Sequence, residues 1–395
     1  MSKIAEQIEK ISQSLSEPTW LLSWRNDKAR SAETLPKTLK YGIGILGVLP
    51  EGEVSFAQIA DYHVDASKGL ELHTWKEAVA QEEIASIVEG LLKSEFFPNA
   101  TDHYGGLGQA VFRSGLVVYA PPSMGEDGVL KEEKLMLDTM VPEGASADLI
   151  VVIAKEGARL SLTSALSGGS TSSVFARTLV VLTESDAHVR VTQKQSLHKG
   201  TTALFSARGV VAAHSSVLWR EVVTGEIRTR SETVNVLVGE SARGDIAQGI
   251  VACGDARYDV LSSAEHLADH THSRIRAAGI SRDTSKTVYR GMIDMVEGVR
   301  AVLGGQEARF LVLSPKAEVD AIPSLDIASK EVQCTHRLSI SHIRDTDIFY
   351  PKLRGLSDEE SRRLFLEGHF AQVFPGEENE EVMINIREEL NKKFA

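Results

Sequence analysis

Two cysteines, Cys253 and Cys334, are all that the 395 residues contain. Such a count excludes a disulfide framework and leaves two free thiols for a reducing compartment. Long apolar runs are missing too. None approaches the ~20 residues that cross a bilayer. The best candidate, Ile43 to Leu49 (IGILGVL), fits a buried segment. The opening MSKIAEQIEK carries glutamates and has no apolar leader core, so a soluble, cytoplasmic protein without membrane contact is expected. No GxxxxGKS/T phosphate loop and no GxSxG elbow occurs. Positive charge is short as well. Lys and Arg number 43 against 55 Asp and Glu, a net charge of −12, which argues against a nucleic-acid partner. The run SRIRAAGISRDTSK at 273–286 is locally positive and reads as a solvated strand-and-turn face. Gly106-Leu107-Gly108-Gln109-Ala110 matches part of a dinucleotide fingerprint. It follows Asp102-His103-Tyr104 rather than a strand, and so reads as a loop.

What is present divides the chain into three: residues 1–110, 111–345 and 346–395. In the first part Ile4, Ile8, Ile11 and Leu15 fall on one helical face. Glu17-Pro18 ends that helix, because a residue before proline avoids the α region. Residues 75–94 form a second helical stretch with Val79, Ile84, Ile87, Leu91 and Leu92 apolar. From about 111 the texture changes to short Val-, Ile-, Leu- and Thr-rich runs with period-two alternation, such as Leu149–Ala154 and Val234–Val238. Crossover helices are missing between them, which excludes a doubly wound sheet. The last part returns to helix. Ser357-Asp358-Glu359-Glu360 reads as a capping box, Gly368 as a stop, and about Glu380 to Phe394 as a further helix.

Within the middle part a small-residue turn followed by an alternating strand recurs: EGARLSL, SDAHVRV, HSSVLWR, ESARGDI, GDARYDV. Ala158, Ala187, Ser215, Ala242 and Ala256 mark equivalent points. The first three steps are 29, 28 and 27 residues, and the last is 14, about half a period. A strand–turn unit at a fixed interval is the signature of a stacked solenoid. A β-sandwich is the other reading of the same strands.

Two constellations carry chemistry. His266, His270 and His272 lie in SAEHLADHTHSR, and on a strand the last two share a face. Imidazoles so placed bind zinc or iron, or are plain surface histidines. Cys334-Thr335-His336 sets a thiol and an imidazole on one face of an extended strand. That is a soft-metal pair open to completion by a second chain, or a buried thiol beside a hydrogen-bonded histidine.

These residues also carry a family resemblance. The segment from His266 to Phe370 resembles the C-terminal half of the SufB/SufD family of iron–sulfur cluster assembly proteins. His266, His270, Thr271, Ser273, Asp283, Ser285, Gly291 and Ile293 match one block. Leu313, Ser314, Ala317, Asp320, Ile322, Pro323, Leu325, Ile327, Val332, Cys334 and His336 match a second. DIFYPKLRGLSDEESRRLFLEGHF resembles a third. Weaker matches are EPTWLLSWR, VVYAPPSMG and RTLVVLTESDAHVRVTQKQSL. Arg337 stands where SufB types carry Glu and SufD types usually Gly. VLGGQEAR keeps Gln306 and Arg309 of a polar family block, and Pro351 and Leu353 depart from the family pattern. SufB types are normally richer in cysteine, so the resemblance is closer to SufD.

The resemblance implies a mainly β chain: a right-handed parallel β-helix, or β-solenoid, flanked by helical N- and C-terminal regions. It implies a non-catalytic scaffold subunit. The partner ATPase, a SufC-like ABC protein, would bind ATP and dock on 346–395, at Phe349, Tyr350, Arg354, Gly355, Leu364 and Phe365. A SufB-like subunit would pair with the β-helix, and a transient iron–sulfur cluster would form at the junction, with His336 and Cys334 as its ligands here. The resemblance leaves room for a flavin in the complex and for a homodimer of the isolated chain. The alternatives are a SufB-like homodimeric scaffold, a β-helix polysaccharide-active enzyme, and a purely structural subunit.

Overall fold

The structure is a computed structural model that describes residues 3–41, 44–125, 128–376 and 379–393. Between 133 and 341 the chain winds through about seven turns of a β-solenoid. Successive strands alternate between two sheets. The first sheet runs from Glu71–Thr74 and Leu116–Ala120 to Glu318–Ile327. The second runs from Asp61–Ala66 and Glu133–Val141 to Glu331–Ser341.

Register explains the repeat in the sequence. Arg159 pairs with His188, His188 with Ser216, and Ser216 with Arg243, which are steps of 29, 28 and 27 residues. Each follows directly on one of the marked small residues. Ala256 precedes Arg257–His266, a strand of the opposite sheet, hence the half step. Ala158, Ala187, Ser215, Ala242 and Ala256 are all buried. From Glu133 onward every ladder between solenoid strands is parallel, from Leu160↔Glu133 to Leu311↔Ser341. That sets the β-sandwich aside.

The corners show why small or short polar residues recur there. Gly157, Asp186, His214, Ser241 and His270 all have φ between 57° and 73°. Gly, Asp and His are among the residues that enter this left-handed region most readily. The geometry turns each backbone N–H toward the next coil. Asp186 donates to Ala213 O, His214 to Glu240 O, Ser241 to Asp269 O and His270 to Arg300 O, at 2.9–3.1 Å. The histidine block is therefore a corner lock. His266 is buried, with Nδ1 2.7 Å from Thr271 Oγ1 and Nε2 2.8 Å from Ser273 Oγ. Around the other corner, Asp283 Oδ2 accepts from Gly254 N and Ser285 Oγ accepts from Arg282 N.

Inside, like stacks on like. Leu162, Val191, Trp219, Ile246 and Ile275 are register partners in successive coils of the second sheet, and all are buried. Burying one such aliphatic side chain is worth ~1.5–3 kcal/mol. Antiparallel strands close the first end: Asp61–Ala66 lies against Glu133–Val141, and Glu71–Thr74 against Leu116–Ala120. The N-terminal helices Lys3–Leu15, Thr19–Thr34, Glu82–Lys93 and His103–Val111 pack on the outer face of the first sheet, over Ala147, Leu149, Val151 and Ala176. Arg25 is pinned there by Glu17 at 2.6 Å and by the carbonyls of Ala110 and Phe112. The C-terminal helices Asp358–Ala371 and Glu380–Lys393 cover the outer face of the second sheet. There Leu366, Phe370, Phe374, Ile386 and Leu390 meet Val222, Val251, Cys253 and Ile280.

Three local expectations differ from the structure. Gly106 to Ala110 is helix, not loop. Asp102 caps its start by accepting from Gly105 N, and Gly108 lies so close to the sheet that an added Cβ would stand 2.6 Å from the Ala176 methyl. Close packing overrides glycine's poor helix propensity. The stretch 75–94 is two helices, Trp75–Ala78 and Glu82–Lys93. Thr74 and Glu77 cap the first reciprocally, and Trp75 is anchored by Nε1–H to Leu149 O. Gly368 does not stop its helix, which runs on to Ala371 and buries Phe370. The Ser357 capping box is present as read. Leu46, Val48 and Leu49 are buried, whereas Ile43 and Phe394 lie outside the described residues.

Burial pushes His266 and His369 down to about 4. The unfolded chain therefore binds protons between about pH 6.5 and pH 4 that the folded chain refuses, and stability falls as pH falls. Acidifying from pH 7 to pH 5 should cost about 2 kcal/mol per histidine at most. His266→Gln should show a shallower loss in urea unfolding at the two pH values. An equal loss in both proteins would contradict the corner lock.

Candidate functional site

The solenoid is closed at its first end and open at its last. Among the described residues, Glu318–Ile327 pairs only with Lys286–Met295, and Glu331–Ser341 only with Arg300–Val312. Both final strands present unpaired backbone N–H and C=O groups, a template for another chain. Alternation turns Val332, Cys334, His336, Leu338 and Ile340 inward, in register with Val302, Gly304, Gln306, Ala308 and Phe310. In an inner coil this row would be covered. Here Leu338 and Ile340 remain 38% and 44% exposed, and His336 is exposed. Across the opening, Ile327 is exposed and Leu325 half-buried. At the value per side chain given above, this end holds several kcal/mol of unclaimed burial.

Cys334 and His336 are two residues apart on one strand face, about 7 Å between Cα atoms. Cys334 is half-buried. Gly304 beneath it lacks a side chain, and a Cβ there would stand 3.2 Å from Cys334 Sγ and 2.6 Å from Met295 Cε. Burial pushes the Cys334 thiol up, so at neutral pH it holds its proton until a metal or a partner group displaces it. His336 lies over Gln306, its register partner in the coil below. Gln306 is buried, and neither of its amide atoms has a hydrogen-bond partner. Arg337 points outward and pairs in register with Glu307.

The three upstream histidines do not converge as the strand reading expected. His270 sits in the left-handed corner rather than on a strand, so it shares no strand face with His272. His266 is consumed by its two hydroxyl partners. Among the described residues no group of three or more His, Cys, Asp and Glu side chains is placed to hold a metal ion. Cys334 and His336 thus supply two donors and would need others from outside the chain. Cys253 is buried under the C-terminal helices and packs as a small apolar group.

A second surface lies at the C-terminal end. Helix Asp345–Leu353 leaves Phe349, Tyr350 and Leu353 60–67% exposed, and Leu364 on the following helix is exposed as well. The Arg354 guanidinium lies 5.2 Å from the Tyr350 ring centre and donates to Tyr350 Oη at 2.8 Å. Gly355 takes φ +94°, which ends the helix and turns the chain toward Ser357. Phe365 is half-buried against the helical core. No helix among the described residues is long and apolar enough to cross a membrane, so this patch is not part of a spanning helix.

The sequence reading passed over Gln306 as a site residue. Its signal was parity. In Gly304-Gly-Gln306-Glu-Ala308-Arg-Phe310 every second residue faces inward, and Gln306 is the polar one in that row.

Comparison with known proteins agrees with this geometry. Residues 131–369 match the family model described as SUF system FeS cluster assembly, SufBD core domain. An iron–sulfur cluster assembly SufBD family protein of Staphylococcus saprophyticus is 25% identical over 372 residues, covering 91% of this chain and 78% of that protein. One from Staphylococcus aureus is 24% identical over 362 residues, covering 88% and 76%. One from Staphylococcus epidermidis is 25% identical over 283 residues, covering 71% and 60%. With its core-domain match spanning the solenoid and reaching into the C-terminal helices, the chain belongs to the SufBD family of the SUF iron–sulfur cluster assembly system.

Proposed function

We propose that this chain is the SufD-like scaffold subunit of a SUF assembly complex and that its open solenoid end pairs with a SufB-like subunit. The observation that carries this reading is the uncapped last coil. It combines unpaired strand edges, exposed apolar side chains and two soft donors in one place. Strand addition would satisfy the edges and bury Leu338 and Ile340. The nascent cluster is cargo rather than a resident group. In this reading His336 gives an imidazole nitrogen to its iron, Cys334 gives sulfur once deprotonated, and the partner completes the set. The chain is a non-catalytic scaffold, with residues 1–110 bracing the solenoid, 111–345 forming it, and 346–395 docking the ATPase. Phe349, Tyr350, Arg354, Gly355, Leu364 and Phe365 form that docking surface, and exposed aromatic groups of this kind dominate interface energetics. ATP-driven dimerisation of the SufC-like partner would then shift this subunit against the SufB-like one and open the junction to iron and sulfide.

The scarcity of cysteine and the proton held on Cys334 weigh against a SufB-like role, which needs a sulfur-accepting thiolate. The family match favours assembly work over the polysaccharide-active reading.

Replacing His336 with Ala should leave the three-subunit complex assembled and lower its iron and sulfide content about ten-fold after reconstitution. Full content in that variant would end the ligand role. Replacing Tyr350 with Ala should weaken ATPase binding by about 2 kcal/mol, roughly 30-fold, in a titration. Its melting temperature should stay unchanged, because the ring is largely exposed. Unaltered affinity would place the docking surface elsewhere.

A further inference from the structure

The polar groups inside the solenoid fall into two kinds. In the middle coils the cluster around Glu221 is satisfied, while Gln195 is buried with neither amide atom partnered. Glu221 is buried and accepts from Gln193 Nε2 at 2.9 Å, from Gln248 Nε2 at 2.6 Å and from Thr233 Oγ1, while Gln248 Oε1 accepts from Ser262. One coil below the open end no such cluster forms around the inward amide. Gln306 is 6% exposed, and both its amide Nε2 and its Oε1 lack a partner. Its amide reaches across the core toward Gly291 of the facing strand, where an added Cβ would stand 2.7 Å from Oε1. Glycine at 291 therefore makes the room that the amide fills. A further inward group of that strand, Thr287 Oγ1, is also buried without a hydrogen-bond partner.

A buried donor and acceptor left unmade are costly to the fold. An isosteric apolar side chain would pack there without that cost. Leu162, Val191, Trp219, Ile246 and Ile275 occupy the same column in the coils below. Gln306 breaks the apolar column at the one step that lies directly under His336. Neighbouring strands are about 4.8 Å apart, so a group bound at His336 hangs within reach of an amide one coil down.

We propose that Gln306 is a positioning residue for the cargo held at the open end, its Nε2–H donating to a sulfide or thiolate sulfur bound beside His336. This rests on the reading of that end as the cluster junction. An N–H donor aimed at a sulfur stabilises the more negatively charged, reduced state of a cluster and raises its potential. The amide needs no proton transfer and no additional ligand to do so.

The test uses the full three-subunit complex reconstituted with ferrous iron and sulfide. Gln306→Leu keeps the size and removes the donor. Expected are an assembled complex, a melting temperature equal to or above that of the wild type, a shifted visible charge-transfer spectrum and a more negative reduction potential. A spectrum and potential identical to the wild type would overturn the proposal and leave Gln306 holding water only. If Gln306→Leu does not fold, Gln306→Met, unbranched and of similar length, carries the same readouts and the same two outcomes. His336→Ala separates the layers. Loss of cluster there with no shift in Gln306→Leu sinks the amide role alone, whereas retained cluster in His336→Ala sinks the junction reading with it.

Discussion

Everything in this molecule depends on one parallel hydrogen-bonded ladder that each coil offers to the next. The strands from Glu133–Val141 onward are satisfied by neighbours on both sides until the final coil. The corner residues extend the same logic around the bends, donating N–H groups forward in stacked left-handed turns. A solenoid of this kind has no intrinsic length. It must be stopped, and the two ends are treated differently. Antiparallel strands and a helical layer close the first. The last is left as an edge with its core in view, and the free energy that closure would have released remains available for association.

That asymmetry links fold to function. The same register that stacks Leu162 on Val191 and Val191 on Trp219 delivers Gln306 and then His336 to the top of the column. Cys334 arrives beside it because Gly304 leaves space beneath. The helices that cover the outer face of the second sheet need a smooth surface, and Ala247, Gly249 and Ala278 supply it. The preceding helix Asp345–Leu353 presents Phe349, Tyr350 and Leu353 to solvent. One end of the solenoid thus carries both the donor pair and, on the adjoining helices, the aromatic surface.

Much of this was legible in the sequence, and for physical reasons. A coil of fixed circumference forces equivalent residues to recur, so Ala158, Ala187, Ser215 and Ala242 announced the register at the correct steps. Alternation alone put Cys334 and His336 on one face. Other features were opaque. The helix over Gly106 and Gly108 exists because those glycines let it approach the sheet, a tertiary fact that local propensity opposes. His266 looked like a ligand because its hydroxyl partners, Thr271 and Ser273, lie across a corner that spacing does not display. The unpartnered state of Gln306 is a statement about what surrounds it in three dimensions, and only its parity was written in the chain.

The central claim is that the edge strand Glu331–Ser341 is where the second subunit adds. Amide hydrogen exchange on this chain alone and in complex with a SufB-like subunit tests it directly. The outward-pointing N–H groups of that strand should exchange quickly when the chain is alone and slow by at least about ten-fold on complex formation. A complex that forms while those amides keep exchanging at their free rate would contradict the account.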